Sequence, residues 1–323
     1  MNFYCYAHSA LRKPIRDLAI NQCYPKMAVC YDYGTIQEIA IPSLARTAQH
    51  RSRRTGIAFG LTWSSDGTTI YSTNEYGHRA LHWVNGLNQS PQVLFEGPIY
   101  DDDQAAMEPW DGFYPTLIQS DRLGKEFACD SFGDIKRWNA NDLTTIRLLS
   151  VHNGHSLGFA FHPTQAILAS CSMDRTIGIW DEGDVATIWP THRFSPVVDI
   201  AWSSDGASLL CTGSEPQHYG IHHSSLVQRW NPWNQQLEAE YRMPYATSHK
   251  IAIHPSQPLV AIGHLDHTIS IWHSDSWQAY ATLKSHYVHI DELSWSHDGQ
   301  WLISIGSKSE NYYYGIEVWA AHP

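Results

Sequence analysis

Two stretches of this chain align with each other without a gap. Leu157–Asp181 reads LGFAFHPTQAILASCSMDRTIGIWD, and His249–His273 reads HKIAIHPSQPLVAIGHLDHTISIWH. Both run an apolar strand, His-Pro-x-Gln, a second apolar strand, then x-Asp-x-Thr-Ile-x-Ile-Trp. A recurring unit of this size constrains the fold more than any other feature. One unit cannot bury both faces of its own sheet, so copies must stack on one another.

Further copies begin at Gly60–Val84, at Val197–Gly213 (closing at Ser224–Asn231) and at Ile290–Gly306 (closing at Gly315–Trp319). Weaker ones lie at Gly124–Asn139 and Ile15–Ile39. The closing residues are Ile39, Trp83, Trp138, Trp180, Trp230, Trp272 and Trp319, spaced by 44, 55, 42, 50, 42 and 47 residues. A period of roughly 40–45 residues is that of a four-stranded propeller blade. The turn tetrads Ser64-Ser65-Asp66-Gly67, Ser203-Ser204-Asp205-Gly206 and Ser296-His297-Asp298-Gly299 fit tight hairpins. In each, Asp bonds its own backbone and Gly supplies positive φ. His162-Pro163-Thr164-Gln165 fills the same place, with Pro presetting φ.

Trp180-Asp181, Gly154-His155 and the turn aspartates Asp174 and Asp266 carry a resemblance: the sequence is similar to the WD-repeat β-propeller family. The resemblance implies an all-β chain, a seven-bladed β-propeller of four-stranded antiparallel blades, with residues 1–323 as a single domain. It also implies that an N-terminal strand completes the last blade, here Asn2–Ala7 beside the strand that ends at Trp319. Such closure removes an exposed edge. Within a blade it implies a hydrogen-bonded tetrad, here His155, Ser170, Asp174 and Trp180, as scaffold rather than catalyst. The copy with His249, Asp266 and Trp272 has Ile262 where the tetrad needs Ser, so its network is expected to be incomplete.

Charged residues are 16% of the chain and aromatic residues 12%, with 14 Trp. This suits packed sheets rather than a disordered chain. The net charge of -11 argues against a general nucleic-acid binder, which would carry a basic footprint. The 20 His outnumber that charge, so full protonation would reverse its sign. Cys5, Cys23, Cys30, Cys129, Cys171 and Cys211 form no CxxC pair, so the usual zinc spacings are absent. Four of them sit within apolar segments as small core residues would, and free buried thiols fit a reducing compartment. The N-terminus lacks the pattern of a signal peptide, and no apolar run is long enough to span a bilayer. A cytoplasmic protein without membrane contact is expected.

Gly154-His155-Ser156-Leu157-Gly158 matches the G-x-S-x-G nucleophile elbow. The elbow needs a strand, a strained turn and a helix, whereas Phe-Ala-Phe-His-Pro follows here. No Walker loop or HExxH is present either, so neither enzymatic activity nor a cofactor is expected.

Function is expected where the array is irregular. The long intervals contain Pro98–Pro115, Ser214–Ser225 and Ser307–Gly315, and a basic stretch runs from Arg46 to Gly56. Read as loops on one rim, these present Arg51, Arg53 and Arg54; Asp101, Asp102, Asp103, Trp110 and Tyr114; His218, His222 and His223; and Tyr312, Tyr313 and Tyr314. Tyr, Trp and Arg anchor interfaces, and enlarged loops on one face mark a binding face. The reading is a non-enzymatic scaffold or adaptor that binds a protein or peptide partner as subunit of a larger complex. Two alternatives stand beside it. One is a metal-dependent binder or enzyme using the His and Asp loops; the other is a nucleic-acid contact through residues 46–54. In a plainer reading of the last loop, the tyrosines pack back on Trp301.

Overall fold

The computed structural model describes residues 3–11, 14–31, 35–51, 58–74, 79–83, 86–88, 91–96, 117–121, 126–131, 134–139, 145–150, 152–181, 187–191, 196–215, 225–244, 248–308 and 313–321. Every regular element among them is a β-strand, and none is a helix that could cross a membrane. β1 (Phe3–Leu11) opens the chain. The first sheet is β2 (Ile15–Ile20), β3 (Lys26–Tyr31), β4 (Thr35–Ala40) and β5 (Arg46–Arg51). Two sheets follow. They are β6 (Ala58–Trp63), β7 (Ile70–Asn74), β8 (Arg79–Trp83) and β9 (Gln92–Glu96), then β10 (Leu117–Ser120), β11 (Glu126–Ser131), β12 (Asp134–Asn139) and β13 (Thr145–Ser150).

Three further sheets follow. They are β14 (Ser156–Phe161), β15 (Leu168–Ser172), β16 (Thr176–Trp180) and β17 (Thr187–Pro190); β18 (Val197–Trp202), β19 (Leu209–Ser214), β20 (Ser225–Asn231) and β21 (Gln236–Met243); and β22 (Ser248–Ile253), β23 (Leu259–His264), β24 (Thr268–His273) and β25 (Ala279–Lys284). The last sheet is β26 (His289–Trp295), β27 (Trp301–Lys308) and β28 (Tyr313–Ala321), with β1 as its outer strand. All neighbouring strands are antiparallel, and the innermost strands touch in chain order from β2 to β26, which returns to β2. The architecture is an all-β propeller of four-stranded antiparallel blades.

The expected closing residues all fall on the third strand of their sheets, from Ile39 in β4 to Trp319 in β28. Apolar side chains therefore meet between sheets, and the core is a set of wedges. Ile177, Ile179 and Trp189 of one sheet pack against Ile200, Trp202, Leu209 and Trp230 of the next. Ile15, Leu18 and Met27 of the first sheet pack against Ile303, Ile305 and Val318 of the last. Each large aliphatic side chain so buried stabilises the fold by about 1.5–3 kcal/mol. Cys30, Cys171 and Cys211 are fully buried in these wedges and act as small apolar residues, as expected; the Cys129 side chain lies outside the described residues.

A repeated polar latch joins neighbouring sheets at their lower rim. The His162 Nδ1 accepts the N–H groups of Thr164 and Gln165 at 3.2 and 3.1 Å. Its Nε2 therefore carries the proton and donates to the Gly206 carbonyl of the next sheet at 3.1 Å. His254 makes the same set of bonds to Ser256, Gln257 and Gly299. Asn21 does the same with an amide: Oδ1 accepts from Cys23 and Tyr24, and Nδ2 donates to the Gly67 carbonyl at 2.9 Å. In the reverse direction, the indoles of Trp63, Trp202 and Trp295 donate to the carbonyls of Ala19, Ala160 and Ala252 at 3.1, 3.0 and 3.3 Å. The receiving glycines have φ of +69°, +73° and +70°, and a Cβ on any of them would run into the latching Asn or His. The Asp-Gly turns and the His-Pro turns are thus two halves of one joint.

The seam closes as expected, and the closing strand is longer than expected, running to Leu11 rather than Ala7. Cys5 pairs with Trp319, and a bulge follows before Ala7 pairs with Val318 and His8 with Glu317. Tyr287 covers the seam. Its hydroxyl donates to the Ser9 carbonyl at 3.4 Å, and its ring lies over the cross-strand pair Gly306 and Gly315, where a Cβ would collide with it.

Two outcomes follow from these contacts. Deleting residues 1–10 should lower the melting temperature by many degrees; a truncated chain melting with the full one would refute the role of β1. His162→Ala should cost about 1–3 kcal/mol in denaturant unfolding, because it leaves buried backbone groups unpaired, whereas His162→Asn should stay close to wild type. Burial holds the pKa values of His162 and His254 below the ordinary histidine value. Their contribution is therefore present above the unfolded-state pKa and lost as pH falls through the lowered folded values. The double His→Asn variant should accordingly resist acid better than wild type.

Candidate functional site: a charged channel and the rim above it

Six of the inner strands, all but β10, carry a β-bulge near their upper ends. The shifts fall between Ile15 and Asp17, Val197 and Asp199, Ser248 and Lys250, and Ile290 and Glu292, and likewise before Gly60 and Gly158. A bulge re-aims the side chain that follows it. Here it turns equivalent residues of successive sheets into a central cavity of about 350 Å³, lined among others by Asp17, Gly158, Asp199, Lys250 and Glu292. Gly158 leaves room for Asp199, whose carboxylate a Cβ at that position would crowd.

The charges in this channel are engaged with the backbone and with each other. Asp17 accepts from the N–H of Leu18 at 2.7 Å and from that of Leu61, one sheet on, at 2.6 Å. Asp199 accepts from Ile200 and, again one sheet on, from Ile251, both at 3.0 Å. Lys250 Nζ lies 2.6 Å from Glu292. Burial, aided by the charge of Glu292, pushes the Asp17 pKa up to about 8. Burial pushes Asp199 up to about 6 against the opposing pull of Lys250. Burial acts to lower Lys250, but Glu292 and Asp199 outweigh it and hold the ammonium well above its ordinary value. The channel is a polar plug whose carboxylates bridge adjacent sheets.

The network around the best-kept repeat uses a different histidine from the expected one. His152 replaces His155, which lies exposed and gives its backbone carbonyl to Met173. Trp180 Nε1 donates to Ser170 Oγ at 3.1 Å, and Ser170 Oγ lies 2.7 Å from His152 Nε2. His152 Nδ1 lies 2.7 Å from Thr176 Oγ1, which donates to Asp174 Oδ1 at 2.6 Å. The donors and acceptors of this chain balance only if Nδ1 carries the proton. Such a fully paired buried chain rigidifies its sheet. The Gly-His dipeptide selected the wrong ring because both histidines precede β14 and only the fold decides which one turns inward. In the copy lacking the serine, Trp272 Nε1 is buried with no partner among the described residues, which matches the expected gap. His249 lies within β22 rather than before it. Ser156 opens β14 directly, so the elbow geometry is absent there.

At the rim, the structure redraws two expected loops. Arg46–Arg51 is the outer strand β5, with Arg51 exposed at its upper end beside Thr35, because the stretch completes the first sheet. Ser307 and Lys308 belong to β27, and Lys308 pairs with Tyr313. Tyr314 is half-buried against the core shared by the first and last sheets. Trp301 lies at the opposite end of β27 from Tyr314 and packs edge-on to Tyr6 at 4.9 Å. Arg53, Arg54, Asp101, Asp102, Asp103, Trp110, Tyr114, His218, His222, His223 and Tyr312, and the Tyr313 side chain, lie outside the described residues. On the lower rim Trp233 is 53% exposed, leaning over Trp202 and His162. A lone exposed Trp in a turn gave no signal in the repeat pattern.

Blades of this construction, latched in series and closed by the N-terminal strand, define a β-propeller of repeated units. A family model described as "WD domain, G-beta repeat" matches residues 144–181, which span β13 to β16. The matched repeat and the four-stranded sheets are similar to those of the WD40-repeat β-propeller family. It is 27% identical over 282 residues to Protein HIR1 of Mycosarcoma maydis, covering 79% of this chain and 27% of that protein. It is 24% identical over 201 residues to Transducin beta-like protein 3 of Rattus norvegicus, covering 58% of this chain and 23% of the relative. A shorter match, 37% over 67 residues, is to DDB1- and CUL4-associated factor 13 of Dictyostelium discoideum, covering 21% of this chain and 14% of that protein. The chain thus spans about a quarter or less of the length of these relatives.

The channel carries its own pH signature. The folded pKa of Asp17 is raised to about 8, so its contribution is full below the unfolded-state value and is lost as pH rises through 8. Asp199 loses its share earlier, on the way through about 6. Thermal melts of wild type should therefore fall as pH rises from about 4 to about 8 and level off above, and Asp17→Asn should flatten the upper part of that fall. Identical profiles for the two proteins would contradict the raised carboxyl.

Proposed function

We propose that this chain is a seven-bladed, single-domain, non-enzymatic scaffold that binds a protein or peptide partner through its upper rim, as subunit of a larger complex in the cytoplasm. The observation that carries the reading is the closed and latched ring. It holds strand ends such as Arg51, Ser214, Ser225, Lys308 and Tyr313 at one rim, and the segments between them hold the Arg, Asp, His and Tyr residues singled out in the sequence. A rigid frame lowers the ordering cost of binding, aromatic residues supply anchors, and charges supply specificity. In support, the relative from Dictyostelium is named for association with other proteins. Buried free thiols at Cys30, Cys171 and Cys211 suit a reducing compartment.

Co-purification from the native cell followed by mass spectrometry, repeated with three variants, tests this. Arg53→Glu and Tyr313→Ala on the upper rim should each deplete the same partner, while Trp233→Ala on the lower rim should leave it bound. Depletion by Trp233→Ala alone would move the interface to the lower rim, and retention by all three would remove the rim assignment.

A further inference from the structure

Among the described residues, three metal-ligating side chains from separate stretches converge at the ring seam. The donor atoms of Cys5 on β1, His286 before β26 and Glu317 on β28 all lie within 4.8 Å of one another. We propose that Cys5, His286 and Glu317 form a site for a divalent metal ion of the zinc class, which bolts the N-terminal strand to the last blade. The donor set has one thiolate sulfur, one imidazole nitrogen and one carboxylate oxygen, a combination that suits zinc or cobalt(II) and not a hard cation such as calcium or magnesium. Thiolate and carboxylate together neutralise a divalent charge, with the Cys5 proton released to solvent on binding.

The surroundings fit a cation. Glu317 is fully buried, and its ion-pair partner among the described residues is the His286 imidazole at 2.6 Å, which is charged only when protonated. The carboxylate is anchored by Ser285 Oγ at 2.6 Å, Ser304 Oγ at 3.3 Å and the His286 N–H at 3.0 Å, which holds its oxygens in place. Ser304 in turn accepts from the closing Trp319 at 3.0 Å, which ties the site to the blade network. The His286 side chain is 54% exposed, which leaves a path for entry. His8, paired opposite Glu317, stacks on His286 with centroids 5.0 Å apart, and water can complete the coordination.

Cobalt(II) titration of the tag-free, metal-stripped full chain tests the site. Wild type should develop a near-ultraviolet thiolate-to-cobalt charge-transfer band saturating at one equivalent, and zinc(II) should displace it. Cys5→Ser should abolish the band, and His286→Ala should weaken binding on the order of tenfold or more. His218→Ala with His222→Ala should leave the band unchanged. Zinc(II) should raise the melting temperature of wild type and not of Cys5→Ser. Should Cys5→Ser fail to fold, His286→Ala, altered at an exposed side chain, carries the same comparison. Absence of the band in wild type, or a band that persists in Cys5→Ser or is unweakened in His286→Ala, overturns the proposal.

Discussion

Everything in this molecule depends on the joint between one blade and the next. A single four-stranded sheet exposes two apolar faces, and only a neighbour on each side removes them from water. The wedge cores supply most of the energy, but apolar burial is non-directional and sets no angle between sheets. The latch supplies the angle. A His or Asn at the end of one inner strand donates to the glycine carbonyl of the next blade, and a Trp from that blade donates back to an inner-strand carbonyl. Three different joints use this pair of bonds, so the geometry is a property of the repeat rather than of one site.

The seam meets the same requirement by other means. The N-terminal strand gives the last sheet its fourth strand, and Tyr287 fills the space that Gly306 and Gly315 leave over it. Glu317 is a buried acid of the seam, held by Ser285, Ser304 and His286. A buried carboxylate with several hydrogen bonds is tolerated, and a nearby thiol and imidazole make it more than a structural acceptor. At the axis the opposite solution appears: Asp17 and Asp199 give their carboxylate oxygens to backbone N–H groups of the next sheet, while Lys250 and Glu292 neutralise each other.

Much of the frame was legible in the residues. The closing residues located every third strand, the Asp-Gly tetrads located turns with positive φ, and Asn2–Ala7 located the closing strand. The sites were less legible. His152 and His155 both precede β14, and the dipeptide pattern favoured the one that faces solvent. Arg46–Arg51 looked like a loop because its polar residues hide the strand on the outer edge of a blade, where no alternation is required. The channel residues were visible as a charge inside each of four inner strands, yet only the bulge before each turns them toward one axis.

The sequence by itself determined that units of this size repeat, that each is a set of short strands joined by tight turns, and that they must stack. Those properties are local, set by periodicity and turn chemistry over a few residues. Only the tertiary structure decided which polar side chains meet: His162 with Gly206, Asp17 with Leu61, and Cys5 with His286 and Glu317. These partners are 44 to more than 300 residues apart, and no local rule links positions that become neighbours only when the ring closes.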